Sequence, residues 1–406
     1  MNDHDAGSAG NVQLVRWLTC LMFFTFAMTT DAVGSVIPKL IEEHGLSMTA
    51  AGAFQYATMA GIAVGALLLG FLADRIGRKL TVILGLSLYG LASLTVAASG
   101  QYAMLVALLC VSGLGISVFK TGALALVGDI SSTTTSHTRF MNTVEGFFAV
   151  GAIVGPAVVG LLISAGMSWK WLYAIAALIC ALLVAMAAMA KYPRRVVPVE
   201  RANLGQMLAM LKDPLALGFS LLVMLYVATE CAIYVWMPTL LLSGIESQGR
   251  LAASALTLFF VLRAVGRFVG AWLLGRVSWT AAMALMSLLI LACFVGALTI
   301  GGEAAALLLP LTGLFMSIVY PTLNSKAISC FPKDRHGAIA GVILFFTAVA
   351  AAAGPLAMGA VSDAQGGARA GFVLATGYAL LLFVGLAGNW LLDPSRGRLR
   401  ALDGAA

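Results

Sequence analysis

Seven ionisable side chains fall inside long apolar stretches: Asp31, Lys120, Glu145, Glu230, Arg263, Arg267 and Lys326. Carboxylates take up and release protons. A carboxyl in poorly hydrated surroundings holds its proton more tightly, and a nearby ammonium loosens it again. Asp31, Glu145 and Glu230 are therefore the candidate proton carriers, and Lys120 is the cation that modulates them. None of the four histidines, His4, His44, His137 and His336, falls in the middle of an apolar stretch, so a histidine relay is not expected. Polar and aromatic residues share helical faces with the acids by the spacing that makes helical neighbours. Asn142 and Phe148 flank Glu145 at three residues either side, and Tyr226 and Tyr234 flank Glu230 at four. Asn324 follows Tyr320 by one turn. Together with Lys120 and Arg263 these residues could line a site for a small polar solute. Lys120 and Arg263 could also hold a carboxylate, or each charge could serve only in a structural ion pair, such as Lys120 with Asp31 or Glu145. Arg267 and Lys326 lie near helix ends, where long side chains snorkel to the interface.

The elements that hold these residues follow from composition. The 406-residue chain is 61% hydrophobic and only 10% charged, against about 25% charged in soluble domains. A soluble enzyme, a nucleic-acid binder and a disordered scaffold are excluded, and the net charge of +7 reads as the cytoplasmic surplus of a polytopic membrane protein. A membrane helix needs about 20 apolar residues. That ruler predicts twelve spans, at 14–38, 50–73, 79–98, 102–128, 139–164, 169–190, 214–242, 251–275, 280–300, 304–329, 337–361 and 369–392. Two six-helix bundles, 1–190 and 214–406, flank a cytoplasmic linker at 191–213, in which 203–211 reads as a short interfacial helix. Seven unpaired charges in such helices would cost on the order of 20 kcal/mol at roughly 2.5–3.5 each. They must face one another or a wet cavity. The six cysteines form no CxxC pair, and neither a disulfide framework nor a metal site is readable. Walker A, HExxH and strand-borne GxGxxG strings are absent, so no cofactor is expected and an ATP-driven pump is disfavoured.

Lys and Arg set the orientation. Loops on the side of the termini hold 16 of them, the opposite loops hold 4, and 4 lie inside spans. Both termini are thus expected in the cytoplasm. The halves also repeat. Pro38 and Pro238, and Gly70 and Gly270, are 200 residues apart, while Gly155-Pro156 and Gly354-Pro355 are 199 apart. A duplicated six-helix unit with copies in the same orientation is the parallel repeat found in some transporters.

The string Gly70-Phe71-Leu72-Ala73-Asp74-Arg75-Ile76-Gly77-Arg78-Lys79 joins spans two and three. It resembles the loop signature of the major facilitator superfamily. The resemblance implies an all-α membrane protein of twelve helices working by alternating access. It further implies that Gly70, Asp74, Arg75, Gly77 and Arg78 form a conformational latch. The matching stretch Gly270-Ala271-Trp272-Leu273-Leu274-Gly275-Arg276 lacks the Asp, so a latch there would be weaker.

Gly266-Arg267-Phe268-Val269-Gly270-Ala271-Trp272-Leu273, Met316-Ser317-Ile318-Val319-Tyr320-Pro321-Thr322, Gly113-Leu114-Gly115, and Arg139 with Asn142 resemble the fucose-permease branch. That resemblance implies proton-coupled uptake of a small polar solute, typically a sugar. The sequence departs from the branch at its chemistry. A base, Lys120, stands near the position of a span-four acid, Asp31 is a turn early, and Glu145 and Glu230 replace amides. A sugar acid or other organic anion becomes an alternative to a neutral sugar. Gly151-x-x-x-Gly155-Pro156-x-x-x-Gly160 resembles part of the efflux-antiporter signature, and proton-coupled export of drugs or metabolites is the rival; a Gly-Pro kink is the plain structural alternative. The expected partners are a small-molecule solute, the proton and the lipid bilayer, without nucleic acid. The expected state is a monomer in the inner (plasma) membrane.

Overall fold

The computed structural model describes residues 3–69, 72–130, 134–192, 209–244, 249–332 and 335–403. Every regular element among them is a helix. Eleven helical stretches are long and apolar enough to cross a membrane, and they coincide with eleven of the twelve predicted spans. The other predicted span, 50–73, contains α4 (Ala53–Leu69), 17 residues long or about 26 Å. Residues 70–71 after it lie outside the described ones.

The chain divides into two compact units, one of Met1–His44 with Ala53–Pro198 and one of Gly45–Gly52 with Val199–Ala406. The first contains α1 (Asp3–Thr30), α2 (Val33–His44), α4, α5 (Leu72–Arg75), α6 (Arg78–Ala98), α7 (Tyr102–Asp129), α8 (Thr134–Ser164) and α9 (Trp171–Met189). The second contains α3 (Met48–Ala51), α10 (Pro214–Cys231), a π-turn at Ala232–Trp236, α11 (Met237–Gly244), α12 (Gly249–Leu274), α13 (Trp279–Ile300), α14 (Gly302–Met316), α15 (Val319–Ser329), α16 (His336–Gln365), α17 (Ala368–Leu392) and α18 (Arg396–Asp403). In the second unit the Asp363 carboxylate accepts the Met48 and Thr49 N–H groups at 2.7 and 2.8 Å, satisfying two donors that α3 leaves free at its start.

Three membrane-length stretches are interrupted, and each interruption has a proline four to seven residues after its first residue. Residues 31–32 form a turn between α1 and α2. The hydroxyls of Thr29 and Thr30 both bond back to the Phe26 carbonyl at 3.1 Å, which loosens a helix. Pro38 then supplies no N–H and crowds the carbonyl of Gly34. The π-turn after α10 encloses Tyr234, whose carbonyl Pro238 crowds in the same way. Ser317 and Ile318 separate α14 from α15, and Pro321 crowds the Ser317 carbonyl. The sequence analysis ended span one at Pro38 and span seven at 242, four residues past Pro238. The helices instead run on to His44 and Gly244, because the backbone is already rearranged upstream of each proline.

Glycines set the closest helix approaches, and these approaches repeat between the units. Gly113 of α7 lies on the Thr58 carbonyl of α4, and Gly61 of α4 lies on the Cys110 carbonyl of α7. Gly313 of α14 lies on the Phe259 carbonyl of α12, 200 residues on from Gly113. Gly155 of α8 lies on Met28 of α1, and Gly354 of α16 lies on Ala228 of α10. The duplicated spacing seen in the sequence is therefore a duplicated set of contacts. An added Cβ at Gly113 would fall inside the Thr58 carbonyl, whereas at Gly218 it would meet nothing within 4 Å. Gly113→Ala should destabilise the purified protein by about 1–3 kcal/mol, read as a lower Tm in detergent. Gly218→Ala should leave the Tm unchanged or raise it.

Most of the predicted linker, 193–208, lies outside the described residues, including all but 209–211 of the expected interfacial helix. Asp213 closes the linker and caps α10, accepting the Leu215 and Ala216 N–H groups at 2.9 and 3.3 Å. It also pairs with Arg398 of α18 at 2.8 Å, and the guanidinium sits 5.4 Å over the Phe331 ring. Burial alone would raise the Asp213 carboxyl. The hydrogen bonds from Arg398, Ala216 and Leu215, and then the Arg398 charge, outweigh it and hold the group below its ordinary value. A carboxyl depressed on folding stabilises fully above its unfolded pKa and loses that contribution as pH falls through the folded one. The Tm gap between the native protein and Asp213→Asn should be full near neutral pH and close below roughly pH 4.

Candidate functional site

In the first unit the predicted chemistry gathers around Lys120. Asp31 stands at the interruption between α1 and α2 and is buried. Its N–H donates to the Ala27 carbonyl at 3.0 Å, and its Oδ2, 3.2 Å from the Thr30 hydroxyl, competes with the Phe26 carbonyl for that hydroxyl's single proton. Lys120, late in α7, is half-buried. Its ammonium lies 5.1 Å over the Phe26 ring and 5.8 Å over Phe23, an arrangement that favours a cation. Glu145 and, less strongly, Asp31 act on it electrostatically. Among the described residues neither carboxylate is within ion-pair distance, so the direct pair weighed in the sequence reading does not form. Glu145 is exposed on α8, and Phe148, one turn on, packs edge-to-face on Phe26 with centroids 5.4 Å apart. The helix carrying Asn142 is described, but the Asn142 side chain is not. Phe26 also meets Phe119 at 6.4 Å. Tyr89 fixes α1 from behind, its hydroxyl 2.7 Å from Thr29 Oγ1 and 3.1 Å from the Thr25 carbonyl.

In the second unit the same scaffold carries a closed network. Glu230 is buried one residue before the end of α10. Its Oε1 is paired with Arg263 Nη1 of α12 at 2.5 Å. The Tyr226 hydroxyl lies 3.1 Å from Glu230 Oε1 and 3.0 Å from the Met316 carbonyl, and the two compete for its single proton. The break after α14 leaves carbonyls there without helical donors, and Tyr226 reaches one of them. Tyr320 packs on Tyr226 with centroids 6.2 Å apart. Asn324, one turn further along α15, is half-buried. Tyr234, in the π-turn, places its hydroxyl 2.9 Å from Cys231 Sγ. Trp236 donates to the Pro355 carbonyl at 3.0 Å. The two clusters correspond position by position. Phe26 and Tyr226, and Lys120 and Tyr320, are each 200 apart, and Asp31 and Glu230 are 199 apart. One unit sets an ammonium on an aromatic ring; the other sets a phenol ring there.

The predicted latch lies in the first unit. Gly77, with φ of +89°, opens α6, and only glycine adopts that backbone without strain. Arg78 is buried and its Nε pairs with Asp129 Oδ2 at 2.9 Å, tying the start of α6 to the end of α7. Lys79 donates to the Ala188 and Ala190 carbonyls at 2.6 and 2.9 Å, capping the end of α9. Arg75 is exposed. Gly70 and the Asp74 side chain lie outside what is described. The sequence reading did not single out Asp129, Phe23 or Phe26. Asp129 carried a signal, since an acid at a helix C-terminus opposes the dipole and needs a cation. Gly151 and Gly155, read as a possible export motif, lie on the Phe24 and Met28 carbonyls of α1. Among the described residues no cluster of His, Cys, Asp or Glu could hold a metal.

Residues 19–355 match the sequence profile of the Major Facilitator Superfamily. The chain is 24% identical over 399 residues to the L-fucose-proton symporter of Escherichia coli (strain K12), covering 90% of each. It is 26% identical over 358 residues to a gallate transporter of Pseudomonas putida, covering 79% of each. The crystal structure of the E. coli fucose:proton symporter superposes with a TM-score of 0.63 at 22% identity, covering 92% of this chain and 97% of that one.

The closed network should behave as a coupled pair. Glu230 is buried and loses its cation in Arg263→Gln, so that variant should cost about 3–5 kcal/mol, and Glu230→Gln, which leaves the partly exposed Arg263, should cost less. The double variant should cost less than the sum, by roughly 0.5–3 kcal/mol of coupling. SDS-unfolding titrations of the four proteins measure the cycle, and strictly additive losses would rule the coupling out.

Proposed function

The chain belongs to the Major Facilitator Superfamily, and we propose that it is a proton-coupled symporter importing a small polar solute, a sugar or sugar acid, by alternating access. It is a multi-pass membrane transporter, not an enzyme. The observation that carries the coupling is Asp31, a buried carboxylate at an interrupted helix, with Lys120 nearby but not locked to it. Such broken helices mark ion and substrate sites in transporters. Asp31 and Glu145 are the proton carriers. Glu230 is the third carboxylate of the coupling set and is held by Arg263 and Tyr226. The solute-binding residues are Lys120, Asn142 and Phe148 in the first unit and Tyr226, Tyr234, Arg263, Tyr320 and Asn324 in the second. Gly70, Asp74, Arg75, Gly77 and Arg78 form the latch, with the Arg78–Asp129 pair as its fixed end.

The fucose-proton relative supports a proton-coupled sugar carrier, and the gallate relative supports a carboxylate as solute. Twelve spans, both termini in the cytoplasm, an inner-membrane location and a monomeric state complete the reading. Neither cofactor nor nucleic acid takes part. Export of drugs or metabolites is the rival, and the packing of Gly151 and Gly155 on α1 accounts for its motif without export.

Proteoliposomes carrying a pH dye inside test this reading. Adding a sugar or sugar acid outside should acidify the interior, and Asp31→Asn or Glu145→Gln should abolish the response while leaving the protein folded. Interior alkalinisation by cationic drugs under an inward-acidic gradient would instead establish the exporter.

A further inference from the structure

Residues Gly45–Gly52 connect two helices of the first unit, α2 and α4, yet they pack as part of the second unit. Within the segment the Ser47 hydroxyl caps α3 by accepting the Ala50 N–H at 3.2 Å. The Met48 and Thr49 N–H groups still need acceptors. The two oxygens of Asp363 take one each, at 2.7 and 2.8 Å, from 315 residues beyond Met48.

The two sides of this contact differ in stiffness. Asp363 lies two residues before the end of α16, where an acid opposes the dipole of its own helix. The start of α3 supplies the unpaired donors that this end of α16 lacks. The Gly367 N–H closes α16 on the Ser362 carbonyl at 2.8 Å, and the buried Ser362 hydroxyl bonds back to the Met358 carbonyl at 2.7 Å. The carboxylate thus stands on a fixed platform. On the other side, Gly45 has φ of +62°, a backbone suited to glycine, and a Cβ there would meet nothing within 4 Å. Asp363 is exposed, so water competes for the same oxygens. Two such bonds bias an equilibrium rather than fix it.

We propose that α3 is a strap of the transport cycle, docked on Asp363 in one state of the carrier and released in the other. Asp363 is then a positioning residue for alternating access, and the inference rests on reading the chain as a carrier of that kind. The strap is covalently the first unit's and by packing the second's. Movement of α2 and α4 relative to α16 therefore loads the two bonds to Asp363 directly.

Hydrogen–deuterium exchange of the purified full-length protein in detergent tests the strap without any solute. Asp363→Ala should speed exchange of the Met48 and Thr49 amides about tenfold. Met48→Pro removes one donor at the first helical position, where proline is accommodated, after a Ser47 that is already extended. It should speed Thr49 exchange, whereas Met48→Ala, which keeps the N–H, should not. A strap also frees its neighbours, so in Asp363→Ala the adjoining ends of α2 and α4 should exchange faster too. Faster exchange confined to Met48 and Thr49 would identify a local cap and overturn the inference, as would unchanged exchange in Asp363→Ala. A disulfide formed in Met48→Cys/Asp363→Cys should hold the strap docked. In proteoliposomes, acidification driven by a sugar or sugar acid should then stop on oxidation and return with a reductant. Undiminished acidification in the disulfide-bonded protein would overturn the strap and leave symport standing. Strap release in the exchange experiment, with no acidification by any sugar or sugar acid, would uphold the strap and count against the symport reading.

Discussion

A charge or an unpaired backbone group inside hydrocarbon must find its compensation within the protein. The chain carries acids and bases in helices that are otherwise apolar, and it interrupts three of those helices. Neither feature survives unless the fold supplies partners. Glu230 meets this demand with Arg263 and Tyr226. The Met316 carbonyl, freed by the break after α14, meets it with the same tyrosine. Tyr226 therefore serves both a side-chain charge and a main-chain gap, and the π-turn that follows Glu230 is held on its far side by the Trp236 bond to Pro355.

The two units show how one scaffold separates architecture from chemistry. The glycine approaches recur at matched positions, and so do the irregular turns after Thr30 and Cys231. These are backbone devices, indifferent to what the neighbouring side chains do. The side chains at matched positions then diverge. Lys120 replaces the phenol that its counterpart Tyr320 presents, and Phe26 replaces the hydroxyl-bearing Tyr226. The hydroxyl that Tyr226 offers Glu230 has no counterpart on Phe26.

The spans, the repeat and the list of charged residues were legible in the sequence because each rests on hydropathy or on spacing. The helix interruptions were less so. Pro38 and Pro238 were visible, but a proline read alone ends a helix. That the helix continues depends on backbone rearrangement upstream, at Thr29, Thr30 and the turn around Tyr234, which no composition rule reports. Pairings across helices were also hidden. Arg263 and Glu230 are 33 residues apart in sequence, a separation that fixes no relative rotation of two helices. Phe23 and Phe26 escaped notice because an aromatic in an apolar helix is ordinarily packing; only the ammonium over their faces distinguishes them.

The contrast between the clusters bears on which acid can carry a proton through a transport cycle. A carrier must be able to exist charged and neutral at comparable free energy. Glu230 is held against the Arg263 guanidinium and the Tyr226 hydroxyl. Asp31 and Glu145 act on a different cation, Lys120. Their shared cation rests on phenyl rings that stabilise it whether or not a carboxylate approaches, so loss of either charge leaves Lys120 supported. An anionic solute arriving at Lys120 would supply the compensation that a newly protonated acid has withdrawn. Under the proposed symport, solute and proton would stabilise each other's binding through a single ammonium.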